Sequence, residues 1–318
     1  MPLGLFAAMS MTLLLLFGFL FAILAAVGYY FAWSGYLTVG LAVLLVLFQW
    51  AIGPAVIRWT TNMRPLARDE LPWLQETVRE LCRKHRVPMP KLAIARMGAP
   101  NAFVFGRTPR GATLVVTQGL LNTLSRDEVR AVVGHEVGHI RHKDMVVMTL
   151  ASAIPIIAYF VARSLIFAPS RGDRRAGVAI AIGLGAFLVY FVTNLLVLYL
   201  SRLREYYSDH FSGVATRPDS LASALAKITY GLSVAPHEEK VSSAARYFYI
   251  SDPSEATGEV AHFAAHYRDL HISREEVRDA MAWERRNPLM HFMELFRTHP
   301  LTYKRIGRLH ELGERAAG

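Results

Sequence analysis

Apolar positions are gathered into long uncharged runs instead of being spread along the chain. No charged residue occurs from Met1 to Ile57, and Trp33-Ser34-Gly35 divides this stretch into runs at roughly 3–32 and 36–57. A bilayer crossing needs about 20 apolar residues, so the pattern predicts two transmembrane helices. Two further uncharged runs, 145–162 and 176–201, flank the polar stretch RSLIFAPSRGDRR. The shorter of them also suits a buried hairpin of a soluble protein, but beside two longer runs a second membrane hairpin is the preferred reading. Pro155 is compatible with a membrane helix packed on neighbours. The uncharged start lacks the basic beginning and short apolar core of a cleaved signal peptide.

Between the runs the pattern changes period. LPWLQETVRELCRKHRV, 71–87, has helical spacing; KLAIARM and ATLVVTQ have strand character, with NAFVFG between them. A small sheet packed on helices is expected. Ser125 and Glu128 form an S-x-x-E capping box that starts a helix at SRDEVRAVVGHEVGHIRHKD. SRLREYYSDHFSGVA continues as helix after the fourth run, and Pro218-Asp219-Ser220 starts another that reaches about Leu232. From Ser233 to about Ile272 the pattern weakens around Pro236, Pro253 and Gly258. SREEVRDAMAWERRN and THPLTYKRIGRLHELGERA read as two last helices. The fold class expected is a mainly α membrane protein: four transmembrane helices and an α+β catalytic domain with a small β-sheet. Helices one and two occupy 1–57 and the hairpin of helices three and four 145–201. The catalytic domain is assembled from the two separated segments 58–144 and 202–318.

Charge adds orientation. The net charge is +10, but Lys and Arg are scattered and no nucleic-acid motif accompanies them; many lie beside the apolar runs, where anionic headgroups would be met. Arg58, Arg64, Arg68, Arg141, Lys143, Arg202 and Arg204 flank the polar pieces, which places them in the cytoplasm. Arg163, Arg171, Arg174 and Arg175 oppose this and leave open that the second hairpin does not cross fully. Cys82 is the single cysteine, so there is neither a disulfide framework nor a multi-cysteine metal site; a packed helix position suits it.

His135 and His139 stand one helical turn apart, so two imidazoles can converge on one metal, with Glu136 beside them to handle a proton. This is the H-E-x-x-H spacing, for which zinc is the natural ion. Chance occurrence on a polar surface is the bland alternative; the apolar Val132, Val133, Val137 and Ile140 argue for a site held against a core. A catalytic zinc needs a third protein ligand. His142 stands nearly two turns from His135, too far for an easy site on one helix, and the metzincin pattern fails because His142 and Met145 occupy its Gly and His positions. Glu205 on a second helix is the better candidate, and Asp209, one turn on, can accept the free N–H of a ligand histidine. Both could instead pair with Arg202 or Arg204 on a solvated surface.

AVVGHEVGHIRHKDMV, LREYYSDHFS, PNAFVFG and THPLTYKRI together resemble the signature segments of the HtpX family of membrane-bound zinc metalloproteases, related to the CAAX prenyl proteases. The resemblance covers nearly the whole chain, weakly between Ser233 and Pro288. It implies a zincin-like gluzincin with one Zn²⁺ held by His135, His139 and Glu205, Glu136 as general base and acid, and Asp209 orienting a histidine. It further implies that Asn101 and Ala102 hold extended substrate, and that His299 and Arg305 support the site, His299 by steadying the oxyanion. Polypeptide substrates met at the cell membrane, no nucleic acid, and a role in protein quality control are the matching expectations. Pro300-Leu301 and Phe103-Val104 depart from the family pattern in ways that bear on substrate fit. An intramembrane protease, a signalling metalloprotease with an outside sensor domain, and a scaffold with a structural metal are the competing readings. The first would set its ligands within the spans, the second needs longer outer loops, and the third needs a fourth protein ligand.

Overall fold

The computed structural model describes residues 8–16, 18–20, 22–23, 35–166, 174–234 and 281–317. The chain divides into two compact units, one of Met1–Ile52 with Val146–Leu203, the other of Gly53–Met145 with Arg204–Gly318. Helix α1 (Gly35–Thr60) covers the second uncharged run, with Pro54 inside it. Much of the first run, and most of the weak stretch 233–272, lie outside the described residues. Helices α5 (Asp144–Ile166) and α6 (Arg174–Ala215) contain the third and fourth runs. Among the described residues two segments are long and apolar enough to cross a membrane, Asp144–Arg163 and Ile180–Ala215. The first unit packs Leu16, Ala151, Ile154, Val197 and Leu200 into one apolar cluster.

In the second unit, short strands β1 (Met63–Pro65), β2 (Lys91–Ala95), β3 (Ala102–Phe105) and β4 (Thr113–Thr117) make one sheet in the order β1-β2-β4-β3. β1 is an addition that the sequence pattern does not announce, being three residues with one proline. β2 and β4 run parallel, and β3 pairs antiparallel with β4, Ala102 opposite Val116 and Val104 opposite Leu114. The strand period of two sorts the side chains. Ile94, Leu114, Val116 and Ala102 enter the main core, whereas Ala93, Ala95, Val115, Phe103 and Phe105 form a second cluster with Ile57 on the other face.

The main core is closed by helices α2 (Pro72–His85), α3 (Gln118–Thr123), α4 (Arg126–Arg141), α7 (Pro218–Val234) and α9 (Thr302–Ala317), with the short α8 (Pro288–Met293) preceding α9 in the chain. Leu74, Val78, Leu81 and Cys82 are the buried stripe of α2, which gives the lone cysteine its packing role. The expected capping box of α4 is present in both directions, Ser125 accepting from the Glu128 N–H and Glu128 accepting from the Ser125 N–H. Glu128 also accepts from Ser223 Oγ at 2.6 Å and from Lys227 Nζ at 2.9 Å on α7. One buried carboxylate thus fixes the start of α4 and docks it on a neighbour. Burial opposes its charge, but Lys227, Ser223 and the Ser125 N–H hold it below the usual carboxylate range.

Glu128→Ala should therefore destabilise the chain by about 1–3 kcal/mol through the lost cap and the orphaned Lys227, read as a lower Tm of the full-length protein in detergent. Because the folded carboxyl has the depressed pKa, its contribution is full above the ordinary carboxylate range and fades as pH falls through its folded value. The Tm gap between wild type and variant should narrow on acidification.

Candidate metal centre

α4 places His135 and His139 on one face, and the second half of α6 crosses that face closely. Contact is possible because Gly134 and Gly138 carry no side chain. A Cβ at Gly138 would stand 3.1 Å from the Ser208 Cα, and one at Gly134 would stand 2.9 Å from Ser212 Oγ. Ser212 Oγ donates to the Ala131 carbonyl at 2.6 Å. This approach brings Glu205 between the two histidines. His135 Nε2 and His139 Nε2 are 3.0 Å apart, and Glu205 oxygens lie 3.5 Å from the first and 3.4 Å from the second. Atoms bound to one zinc at about 2.0–2.1 Å in a tetrahedral array stand about 3.3–3.4 Å apart, so the three side chains already have the spacing of a ligand set.

Glu136 joins the same cluster, its ligand atom within 4.8 Å of those of both histidines. It is held from the other side by the Val104 backbone N–H. Strand β3 is an edge strand, and its alternation explains this contact. Asn101 turns its main chain towards β4, donating to Thr117 Oγ1 at 2.8 Å and accepting from the Thr117 N–H at 2.9 Å. The main-chain groups of Ala102 and Val104 therefore point away from β4, to the unpaired edge of the sheet. Of the two residues expected to hold substrate, Ala102 offers its backbone to that side and Asn101 does not.

Asp209 lies 3.0 Å from His135 Nδ1 and receives a two-pronged contact from Arg305, at 2.8 Å from Nε and 2.7 Å from Nη2. Arg305 Nη1 also reaches Glu205 Oε2 at 3.2 Å, and His299 Nδ1 lies 3.1 Å from the same oxygen. Neither Glu205 nor Asp209 is on a solvated surface: they are 5% and 3% exposed. Arg204 goes elsewhere, to the His142 carbonyl at 2.7 Å and to Asp144. His142 caps the end of α4, its ring packed edge-on against Tyr207 and Phe211.

Asp144 is the residue whose role the sequence pattern does not reveal. RHKD reads as the polar end of the helix that starts at Ser125, reaching Asp144 before the apolar run. Instead α4 stops at Arg141, Lys143 takes a left-handed conformation with φ of 59°, and α5 restarts at Asp144. That break turns the Asp144 carboxylate back to His139 Nδ1, at 2.6 Å, where Ser208 Oγ also stands at 3.0 Å. Each histidine thus has its outer nitrogen held by a carboxylate. The signal is the need of a ligand histidine for such a partner, but nothing in the sequence marks the turn at Lys143.

The donor set fits a divalent metal on charge as well as on spacing. Glu136, Asp144, Glu205 and Asp209 are all buried, against two buried guanidiniums, Arg204 and Arg305. With the histidines neutral and Glu136 ionised, the excess is two negative charges, which one dication neutralises. Burial alone would favour neutral His135, yet Asp209 and Glu205 raise its pKa to about 9, a sign that the site attracts positive charge; His139, buried beside that charge, is pushed well down. Glu205 Oε2 lacks a well-aligned hydrogen bond among the described residues.

A family model described as peptidase family M48 matches residues 68–313. A Protease HtpX homolog of Methanothermobacter thermautotrophicus is 42% identical over 227 residues, 71% of this chain and 86% of that protein. One from Aeropyrum pernix is 35% identical over 289 residues, 87% of this chain and 86% of its own. Another, from Pyrococcus furiosus, is 33% identical over 306 residues and covers 94% of both. Among solved structures, S. mikatae Ste24p shares the fold, with a TM-score of 0.54 at 16% identity over 97% of this chain and 67% of that one.

The close helix crossing and the outer contacts of the histidines can each be tested. Gly138→Val should force α4 and α6 apart and lower divalent-ion occupancy at least tenfold in metal analysis, about the effect of losing a supporting contact or more. Asp144→Asn should weaken zinc binding by about 10–100-fold in competition with a chromogenic chelator.

Proposed function

The chain belongs to peptidase family M48, and within it to the HtpX proteases, and on that premise we propose that it is a zinc endopeptidase cutting membrane or misfolded proteins at the cytoplasmic face of the cell membrane. It is a membrane metalloprotease by family. The observation that carries the finer reading is the triangle of His135, His139 and Glu205, 3.0–3.5 Å on each side, with Glu136 beside it. His135, His139 and Glu205 would hold the ion. When bound, it supplies the Lewis acidity that polarises an amide carbonyl and makes water acidic at neutral pH.

Glu136 takes the proton of the attacking water and delivers it to the leaving nitrogen as the peptide C–N bond breaks. Burial pushes its carboxyl up to about 7, opposed by the charge of His135; a group that must accept and return a proton is best placed near the working pH. The Val104 N–H fixes its carboxylate. Asp209 and Asp144 hold the outer nitrogens of His135 and His139, so that each ring presents Nε2 to the ion. Arg305 joins Asp209 to Glu205 and keeps both carboxylates charged in a buried place. His299 is seated against Glu205 in this structure; a role at the oxyanion requires its ring to turn towards substrate, and otherwise it steadies Glu205.

An extended substrate adds to the open side of β3 through the backbone of Ala102, an arrangement that takes affinity from main-chain bonds and asks little of the side chains. Broad specificity suits a protease of damaged proteins. The apolar helices α5 and α6 adjoin the site in sequence, which favours substrates that are themselves in or leaving the bilayer. Four spans with the second unit in the cytoplasm remain the topology proposed, from the distribution of Lys and Arg.

Glu136→Gln should abolish casein cleavage and self-cleavage while one zinc per chain is retained; retained turnover would remove Glu136 from its role. Glu205→Ala should lose the zinc as well as the activity, and full occupancy in that variant would show that another residue is the third ligand.

A further inference from the structure

The end of α4 also forms one wall of a second cavity, of about 1040 Å³, lined by none of the residues of the metal centre. Three distant pieces of chain meet there: the end of α2 with Lys84, His85 and Arg86, the turn at Arg110 between β3 and β4, and Arg141 with Lys143. No carboxylate is among the lining residues, and none of the five cationic side chains forms an ion pair among the described residues. Basic residues at helix ends usually offset the negative end of the helix dipole. Two such ends meet here and account for about one negative charge between them, and Lys84 also lies in the field of Glu80 one turn earlier, which leaves most of the remaining positive charge without a counterpart.

Their field reaches His85, whose imidazole is driven towards its neutral form by burial and by Lys84 and Arg141. Its Nε2 is buried and has no hydrogen-bond partner among the described residues. The volume exceeds what one inorganic anion fills and matches a small-molecule site. Lys143, the last lining residue, is followed directly by Asp144–Arg163, a helix long and apolar enough to enter a bilayer.

We propose that this cavity binds the phosphate-bearing headgroup of an anionic phospholipid. Arginine forks and lysine ammonium groups match phosphate oxygens, and the glycerol beyond the phosphate fills the remaining volume. Arg141 Nη1 already donates to the His85 carbonyl at 2.8 Å. A headgroup bridging Lys84 and Arg110 to Lys143 therefore ties the end of α2 to the end of the helix that carries both histidines. The inference rests on the membrane reading of α5 and is independent of the metal centre.

The test uses the full-length protein in a neutral detergent, titrated with dihexanoyl phosphatidylglycerol, dihexanoyl phosphatidylcholine and inorganic phosphate. Phosphatidylglycerol should bind about tenfold or more tightly than either of the others, and Lys84→Glu with Arg110→Glu should remove that preference. Zinc content and Tm should stay at wild-type values, and Arg315→Glu on α9 should leave the preference intact. Should the double reversal fail to fold, Lys84→Gln with Arg110→Gln should give a partial loss. Equal affinity for the two lipids, phosphate binding as tight as phosphatidylglycerol, or an unchanged preference in the variants would overturn the assignment.

Discussion

The constraint on which the second unit depends is an excess of buried negative charge. Around the metal centre four buried carboxylates, Glu136, Asp144, Glu205 and Asp209, face two buried guanidiniums, Arg204 and Arg305. A single unpaired ion in a medium of low dielectric costs several kcal/mol, so the remaining negative charge must be met by position. Asp209 is met by Arg305, and Asp144 by Arg204. What remains is carried by Glu136 and Glu205, the two carboxylates that face the Nε2 atoms of the histidines. The ion pairs are thus supports at the edge of the cluster, and the uncompensated charge is concentrated where a dication fits. This connects the far end of the chain to the site: Arg305 lies on α9, and without it the ligand carboxylate and the residue that orients His135 would repel each other in a buried place.

Bringing those charges together requires two helices to approach more closely than ordinary side chains permit. Gly134 and Gly138 supply that approach on α4, and Ser208 and Ser212, small and able to bond, supply it on α6. A glutamate side chain is short, and Glu205 reaches both histidines because the backbones are near. The glycines of G-H-E-V-G-H are therefore part of the geometry of the centre, although neither carries a functional group. At the other end, the capping box of Ser125 and Glu128 fixes where α4 begins, and hence which residues face α6.

Much of this is legible in the chain because periodicity and capping are local. The stripe of α2, strands β2 and β4, the start of α4 and the spacing of His135 with His139 all follow from residues within a few positions of one another. Glu205 and Asp209 can be named from the sequence, but their burial cannot, since solvated partners, Arg202 and Arg204, stand next to them in the chain. The structure sends Arg204 to Asp144 and gives Asp209 to Arg305, a residue 96 positions away. β1 is not visible because three residues with a proline carry no alternation. Asn101 is expected at the open edge of the sheet, yet the parity of β3 turns its main chain to Thr117; parity is set by pairing, which a short apolar run does not reveal.

The break after α4 has the same origin and a larger consequence. RHKD contains no glycine to announce a stop, and the sequence pattern carries the helix as far as Asp144. Lys143 nevertheless adopts a left-handed conformation, which costs a residue with a Cβ about 1–2 kcal/mol. Such a cost persists where surrounding contacts over-determine it, and here they can be named. His142 caps α4 while its carbonyl accepts from Arg204, Asp144 meets both Arg204 and His139, and the buried Ile140 is pinned in the core. A straight helix would carry Asp144 away from His139 Nδ1 and leave that nitrogen with Ser208 alone. The turn at Lys143 therefore separates two demands on one segment: residues before it serve the polar centre, and residues after it form an apolar helix, whose first residue, Asp144, is turned back to the centre.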